Sequence, residues 1–282
     1  MSGSPAASAL GSEGDTYLTT NPAAALPLPE AIAFDCYRTL LQNDPADWER
    51  TFGDISREQG LRISGKELWE GWKKHEVQFR ATRLDLDNPE MSPPFKTYEA
   101  AWYECFKKTF GDAALNGDPV RAAHRCVEHM SRRPPFPETA KALRMLSGRV
   151  RLAVLSNADE AFLHPALWQT GVRYAAVVSS ESAQAYKPAP EAYGELLRTL
   201  GVQPGRVWYV GDHLHEDVYG STEAGMTAIW VNRPAGQAYY AGQVGLDPAR
   251  QRDPRAEVKD LRELAGLLDA ATSSSPPARS AR

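Results

Sequence analysis

The sequence has 282 residues, of which 42% are apolar and 24% are charged, ordinary values for a globular protein with a packed core. The formal net charge is -4 and no run of Lys or Arg forms a basic stripe, so a nucleic-acid partner is not expected. No apolar stretch reaches the roughly 18 residues of a membrane-spanning helix. The three cysteines are widely separated and odd in number, which predicts a reducing cytoplasm and no disulfide framework.

Both ends of the chain are predicted to be disordered. Residues 1–28 are rich in Ala, Ser, Gly and Pro, and residues 271–282 read ATSSSPPARSAR. Neither segment offers periodic apolar positions that a core could bury. The N-terminal segment also lacks the basic and apolar regions of a secretory signal.

The first predicted element is a short apolar run, Ala31–Phe34, which ends in Asp35 as a buried parallel strand would. Residues 44–133 then place apolar and aromatic side chains three to five positions apart, which predicts helices. After residue 134, strands and helices are predicted to alternate. The strands are 150–155, 174–179, 207–210 and 227–231, the last clear one; the helices are 139–146, 159–170, 191–200 and 217–224.

Alternating strands and helices are typical of an α/β fold, a parallel sheet covered by helices on both faces. The helical block that follows the first strand is far longer than the dozen or so residues that a plain crossover needs. We therefore predict a three-layer core built from residues 29–43 and 134–270, with an inserted helical cap at 44–133. In such sheets, active sites lie beyond the carboxyl ends of the strands.

Polar side chains follow four of the predicted strands. They are Asp35 with Thr39, Ser156 with Asn157, Lys187, and Asp212 with Asp217. Taken singly, each has a plain structural explanation as a helix cap, a turn residue or part of a solvated loop. In a parallel sheet, however, these strand ends converge on one edge, and together they make a complete site.

The chemistry of this set points to group transfer. The Asp35 carboxylate can attack an electrophilic centre and form a covalent intermediate. Crowding it with Asp212 and Asp217 requires a cation, and a hard divalent ion such as Mg²⁺ would supply one together with waters and a substrate phosphate. Lys187 and the Ser156 hydroxyl would hold the transferring group. The expected substrate is a small anionic molecule.

The segments that carry these residues resemble, in order, the four motifs of the haloacid dehalogenase (HAD) superfamily. They are residues 34–40 (FDCYRTL), 155–157 (LSN), 186–188 (YKP) and 210–217 (VGDHLHED). The resemblance spans about residues 30–235 and includes a cap insertion between the first and second motifs. It implies a Rossmann-like core and a hydrolase in which the cap closes over the substrate and sheds water.

The resemblance also implies roles for the residues at the strand ends. Asp35 would be the nucleophile, Thr39 and Ser156 would bind oxygens, and Lys187 would stabilise the nucleophile and the intermediate. The Mg²⁺ ligands would be Asp35, the backbone carbonyl of Tyr37, Asp212 and Asp217. Tyr37 and Asn157 would contact the substrate.

The first motif departs from the form found in the phosphatases of this superfamily. Those enzymes usually carry a general-acid Asp two residues after the nucleophile, where this sequence has Tyr37. With an unperturbed pKa of about 10, a tyrosine hydroxyl is a weak acid for that work. The pattern Asp-x-Tyr-x-Thr-Leu resembles instead the 2-haloacid dehalogenases, which displace halide with the same Asp and need neither a metal nor leaving-group protonation.

Two further residues resemble substrate-binding positions of those dehalogenases. Tyr193, six residues after Lys187, matches a tyrosine near their site, and Lys73 stands in a cap segment (ELWEGWK) where they carry an anion-binding Arg. Lys lacks the planar fork that suits a carboxylate. The fourth motif, by contrast, keeps the acidic, metal-binding form.

The motifs therefore support three hypotheses. The first is a Mg²⁺-dependent hydrolase of small phosphate esters; the second is a metal-independent 2-haloacid dehalogenase; the third is a degenerate domain that only binds a ligand or partner. Arg38, in place of the usual glycine, either binds an anionic substrate or points outward. His213 is expected at the mouth of the site, as an acid near neutral pH.

Overall fold

The computed structural model describes residues 26–233 and 248–274. In these ranges a six-stranded sheet has the order β3-β2-β1-β4-β5-β6, and every neighbouring pair is parallel. The strands are Ala31–Phe34 (β1), Arg151–Ser156 (β2), Ala176–Ser179 (β3), Val207–Gly211 (β4), Thr227–Val231 (β5) and Ala256–Val258 (β6). The predicted parallel α/β fold is thus confirmed.

Five helices lie between β1 and β2, of which the first four form the insertion, and the remaining helices connect or follow the other strands. They are Pro45–Glu58 (α1), Gly65–Thr82 (α2), Tyr98–Asp112 (α3), Pro119–Met130 (α4), Thr139–Ser147 (α5), Glu160–Trp168 (α6), Ser180–Ala183 (α7), Pro190–Leu200 (α8), Gly220–Glu223 (α9) and Glu263–Ser274 (α10). Among the described residues, no helix combines the length and the apolarity needed to cross a membrane.

The central strand β1 is buried on both faces. Because side chains alternate along a strand, Ala31 and Ala33 join an apolar cluster on the side of α8, whereas Ile32 and Phe34 join a larger cluster on the other side. β2 and β4 pair with its two edges. The residue that follows β1 therefore emerges in the middle of the carboxyl edge of the sheet.

The four-helix insertion, residues 44–133, leaves and rejoins the core at one place. The main chain of Gln42 donates to the Pro134 carbonyl at 2.8 Å, and that of Phe136 donates to the Leu40 carbonyl at 3.1 Å. An isolated antiparallel bridge between Leu41 and Pro135 joins the same two segments. The two connections to the insertion are thus hydrogen-bonded to each other beside the loop that follows β1.

Aromatic rings form the centre of the insertion and reach the core. Trp48 and Trp72 stack with their centroids 5.5 Å apart, and Phe52 and Phe106 stack at 5.2 Å. Trp102 of α3 stacks on Phe162 of α6 at 5.5 Å and 19°. Such ring contacts add to the free energy gained from burying large apolar surfaces.

Three expected boundaries are corrected by the structure. Thr227–Val231 is not the last strand, because β6 pairs with it in parallel. The helix expected at 217–224 begins earlier, as a π-helical turn over Leu214–Tyr219, and continues as α9. Helix α10 extends to Ser274, so residues 271–274 are not part of a disordered tail; residues 275–282 lie outside the described residues.

The N-terminal boundary also differs from the prediction. Leu26 and Leu28 pack against the larger apolar cluster, and the Trp208 indole donates to the Pro27 carbonyl at 2.8 Å. Residues 26–28 are therefore part of the packed core. The rest of the segment expected to be disordered, residues 1–25, lies outside the described residues.

Candidate active site

The side chain of Lys187 connects two of the carboxylates that follow the strands. Its ammonium lies 2.7 Å from an oxygen of Asp35 and 2.6 Å from an oxygen of Asp217, and it donates to the Tyr209 hydroxyl at 2.9 Å. Only 1% of the Lys187 side chain is exposed. A fully buried ammonium is stable only when charged and polar partners meet it in this way.

Asp35 is held by contacts from the two strands that flank β1. Its backbone N–H donates to the Val210 carbonyl at 2.9 Å, which extends the pairing of β1 with β4. The Ser156 hydroxyl at the end of β2 donates to the same oxygen that Lys187 contacts, at 3.1 Å. The Asp35 side chain is 11% exposed.

Burial and neighbouring charges set the protonation of this pair. Burial raises the pKa of Asp35 to about 6, with Asp217 adding to the rise and Lys187 opposing it. Burial by itself disfavours the ammonium, but the two carboxylates outweigh it and hold the pKa of Lys187 well above its ordinary value. Near neutral pH, Asp35 is therefore ionised and Lys187 is charged, the states that nucleophilic attack requires.

The third carboxylate, Asp212, has its own partners. The Thr39 hydroxyl donates to one of its oxygens at 3.2 Å, and the Arg38 guanidinium donates to the other at 3.2 Å. The Arg38 side chain is 13% exposed and that of Asp212 is 7% exposed. Arg38 thus turns inward onto a carboxylate of the site, a contact that neither of the two expectations for this residue included.

The three carboxylates provide a donor set for a divalent ion. One oxygen from each of Asp35, Asp212 and Asp217 lies within 4.8 Å of the others, and carboxylate oxygens are ligands that Mg²⁺ prefers. In the structure, however, Lys187 contacts two of these carboxylates and Arg38 contacts the third, so a divalent ion would have to compete with both cations for its ligands. The ligand role expected for the Tyr37 carbonyl stays a prediction.

Asn157 positions the loop that carries the lysine. Its amide oxygen accepts from the Lys187 backbone at 2.7 Å, and its amide nitrogen donates to the Lys187 carbonyl at 3.1 Å and to Glu216 at 3.0 Å. Glu216 in turn accepts from Arg83, the residue that ends α2, at 2.9 Å. Sequence reasoning missed both Arg83 and Glu216; the one available signal was the position of Glu216 inside the fourth motif.

A cavity of about 150 Å³ lies between the insertion and the core beside these residues. Half of the residues that line it are aromatic, and its polar lining residues are Asn43, Lys73, Glu76, Arg80 and Asn157. Its aromatic residues are Tyr37, Trp48, Trp69, Trp72, Tyr98, Trp102 and Phe162. The Lys73 ammonium lies 5.1 Å from the centre of the Trp69 ring, so this predicted substrate-binding residue does line a cavity.

The Tyr37 hydroxyl is hydrogen-bonded to the main chain. It donates to the carbonyls of Met130 at 3.2 Å and Phe162 at 3.4 Å. Burial raises the pKa of this phenol well above its usual value. Tyr37 therefore does not supply the proton that an Asp at this position would give to a leaving group.

Two expected site residues have structural contacts instead. Tyr193 is fully buried in α8, where its hydroxyl donates to the Glu216 carbonyl and its ring packs against Tyr209 at 5.4 Å. It does not line the cavity, and the substrate contact expected of it stays a prediction. The Nδ1 atom of His213 accepts the backbone N–H groups of His215 and Glu216 and caps the π-helical turn.

Comparison with known proteins identifies the family. The family described as haloacid dehalogenase-like hydrolase matches residues 29–225, which include the four strand ends described above. The chain belongs to this family. Haloacetate dehalogenase H-2 of Moraxella sp. (strain B) is 30% identical over 207 residues, covering 72% of this chain and 86% of the relative.

Relatives within the HAD family also include phosphatases. Glyceraldehyde 3-phosphate phosphatase of Methanothermobacter thermautotrophicus is 36% identical over 118 residues, covering 40% of this chain and 52% of that enzyme. Among solved structures, a defluorinating L-2-haloacid dehalogenase superposes with a TM-score of 0.67 at 18% identity, covering 86% of this chain and 95% of the other. That likeness extends the match in fold to the helical insertion.

Proposed function

We propose that this HAD-family hydrolase removes halide from small 2-halocarboxylates through a covalent ester on Asp35, without a metal ion. The observation that carries the proposal is the state of Tyr37, whose buried hydroxyl is donated to two main-chain carbonyls. A leaving group at this site receives no proton from the first motif. Halide departs as a stable anion and needs none, whereas an alkoxide does.

The proposed reaction has two steps. The ionised Asp35 carboxylate attacks the carbon that bears the halogen; a C–O bond forms as the carbon–halogen bond breaks, and halide leaves with the electron pair. Water then attacks the carbonyl carbon of the ester, and the bond from that carbon to the substrate oxygen breaks. One proton of the water goes to the departing oxygen, which gives a 2-hydroxycarboxylate, and the other goes to solvent as the Asp35 carboxylate is restored. Lys187 and Ser156, both on one oxygen of Asp35, orient the nucleophile and stabilise the negative charge that develops on it.

The cavity supports a small anionic substrate with an apolar or halogen substituent. Its aromatic wall excludes water, and Lys73 offers a positive charge to a carboxylate. We propose that helices α1–α4 act as the cap, since most of the lining belongs to them.

K73M should raise KM roughly five- to tenfold with little change in kcat, because an exposed charge contact contributes about 1 kcal/mol. The matched control is K74M, because Lys74 is the next residue along the helix and does not line the cavity.

Halide release from the two enantiomers of 2-chloropropionate tests the proposal directly. We expect turnover that EDTA does not change and that the D35N variant lacks. A single turnover in ¹⁸O-labelled water should place the label on Asp35 and not in the product, because water attacks the ester carbonyl. Absence of halide release at high enzyme concentration would reject the proposal. If wild type and D35N were indistinguishable in every assay, a binding role without catalysis would replace it.

A Mg²⁺-dependent phosphohydrolase is the second candidate. The convergence of Asp35, Asp212 and Asp217 within 4.8 Å supports it, as do the phosphatase relatives. It requires Arg38 to release Asp212 and another group to protonate the leaving oxygen. A panel of small phosphate esters assayed with and without EDTA distinguishes the two candidates, and turnover that survives EDTA would reject the metal-dependent one.

We also propose a cytoplasmic location. The three cysteines, Cys36, Cys105 and Cys126, are free and buried, which supports a reducing compartment.

A further inference from the structure

Arg38 stands at a backbone position that suits glycine. Its φ is 71°, in the left-handed region that residues with a side chain rarely adopt. Two hydrogen bonds fix this backbone, since Arg233 donates to the carbonyls of Arg38 at 3.3 Å and Thr39 at 3.0 Å. An unfavourable backbone conformation that is kept at a site suggests a function for the residue when its side chain also makes a specific contact. The contact here is the inward ion pair with Asp212.

We propose that Arg38 is a built-in cation that takes the place of a divalent metal ion at Asp212 and so decides that this site works without one. Lys187 serves Asp35 and Asp217 from one side, and Arg38 serves Asp212 from the other. A guanidinium is charged at every physiological pH and presents fixed donors to a carboxylate. An incoming metal would have to break this pair and would meet the repulsion of the remaining positive charge.

This inference rests on the proposed function and deepens it, because it names the residue that sets the metal requirement of the same site. It does not depend on which leaving group departs. Its test is therefore a measurement of metal binding, whose result does not change if Asp35 turns out not to attack a halocarboxylate.

The experiment is a Mn²⁺ titration followed by electron paramagnetic resonance, with Mg²⁺ as competitor, on wild type and on R38G and R38Q. Mn²⁺ favours the same carboxylate oxygens as Mg²⁺. R38G removes the charge at a φ that glycine adopts freely, and R38Q removes it while keeping most of the side-chain length. We expect both variants to bind Mn²⁺ at least about tenfold more tightly than wild type, because a nearby positive charge has been removed.

Two further variants locate the effect. The double variant R38G/D212N should lose the gained affinity, which assigns the ion to Asp212. Q184G changes another non-glycine residue of positive φ, 51°, on the protein surface, and should bind Mn²⁺ as wild type does. Thermal unfolding confirms that each variant folds, and R38Q carries the test if R38G does not. Wild-type binding as tight as that of R38G, or no gain in either variant, would overturn the proposal.

Discussion

At the scale of single residues, Lys187 holds the site together because it separates two carboxylates that would otherwise face each other in the protein interior. Asp35 and Asp217 both lie within 2.7 Å of its ammonium, which is 1% exposed. Removing one partner from a buried ion pair leaves an uncompensated charge that costs about 3–5 kcal/mol. The lysine therefore affects the stability of the fold as well as the nucleophile.

K187M should lower the free energy of unfolding by about 3–5 kcal/mol and abolish turnover. Urea unfolding monitored by circular dichroism measures the loss. The matched control is K108M, an exposed lysine of α3, which should stay within about 0.5 kcal/mol of wild type. Equal stability of the two variants would contradict the structural role of Lys187.

The pH dependence of catalysis follows from Asp35. Burial raises its pKa to about 6, against the opposing charge of Lys187, and only the ionised carboxylate attacks. As pH rises through about 6, kcat/KM should increase to a plateau, and at pH 5 it should be about tenfold lower than on the plateau. Rates measured between pH 4.5 and 8 check this, and a profile that stays flat down to pH 5 would be inconsistent with Asp35 as the nucleophile.

What the sequence predicted at this scale was the set of groups, and what it could not predict was their pairing. Asp35, Ser156 and Lys187 were found because each follows a strand, and the ends of parallel strands share one edge. The ion pair of Arg38 with Asp212 joins residues 174 positions apart, and no local pattern reports it. The burial of Tyr193 was not predictable, because its distance from Lys187 along the chain does not reveal which face of α8 packs on the sheet.

At the scale of elements, one carboxylate joins the core to the insertion. Asp159, just before α6, accepts the backbone N–H groups of Tyr98 at 2.7 Å and Glu99 at 2.8 Å, the first residues of α3. A helix N-terminus carries unpaired N–H groups and a partial positive charge, both of which favour a carboxylate. A residue of the core therefore caps a helix of the insertion.

D159A should lower the free energy of unfolding by about 1–2 kcal/mol, loosen the start of α3 and raise KM. Hydrogen exchange of the first turn of α3 and steady-state kinetics measure these effects. D118A is the matched control. Asp118 caps α4 by accepting the backbone N–H groups of Val120 and Arg121, so this substitution removes a cap that lies entirely within the insertion. It should destabilise the protein by about 1 kcal/mol with KM unchanged; a similar KM shift in both variants would argue against a special role for Asp159.

The elements themselves were largely readable from the sequence, with exceptions that have physical causes. Long amphipathic helices and apolar strands carry strong periodic signals, so β1 and the helical nature of residues 44–133 were predicted, although not the bounds of α1–α4. β6 was missed because it has three residues, of which only Val258 is buried. The π-helical turn over Leu214–Tyr219 was missed because its wider winding follows from local contacts, such as the His213 cap, that periodicity does not encode.

At the scale of the whole molecule, residues before the first strand contribute to the fold. Leu26 and Leu28 cover the larger apolar cluster, and the Pro27 carbonyl accepts from Trp208. A chain that starts at Glu30 should be about 1–3 kcal/mol less stable than one that starts at Leu26, because it loses this burial and one hydrogen bond. Thermal or urea unfolding of the two truncated proteins compares them directly. Equal stability would show that these contacts contribute nothing in solution.

The main-chain bonds that join Gln42 to Pro134 and Phe136 to Leu40 have a consequence for how this protein can change over evolution. Because these bonds hold the two ends of the four-helix insertion together, the helices between them can be lengthened, shortened or exchanged without shifting the backbone that carries Asp35. New substrate preferences can therefore arise by changes in the insertion while the residues at the strand ends keep their positions. The same two junctions are suitable points at which to graft the insertion of another protein.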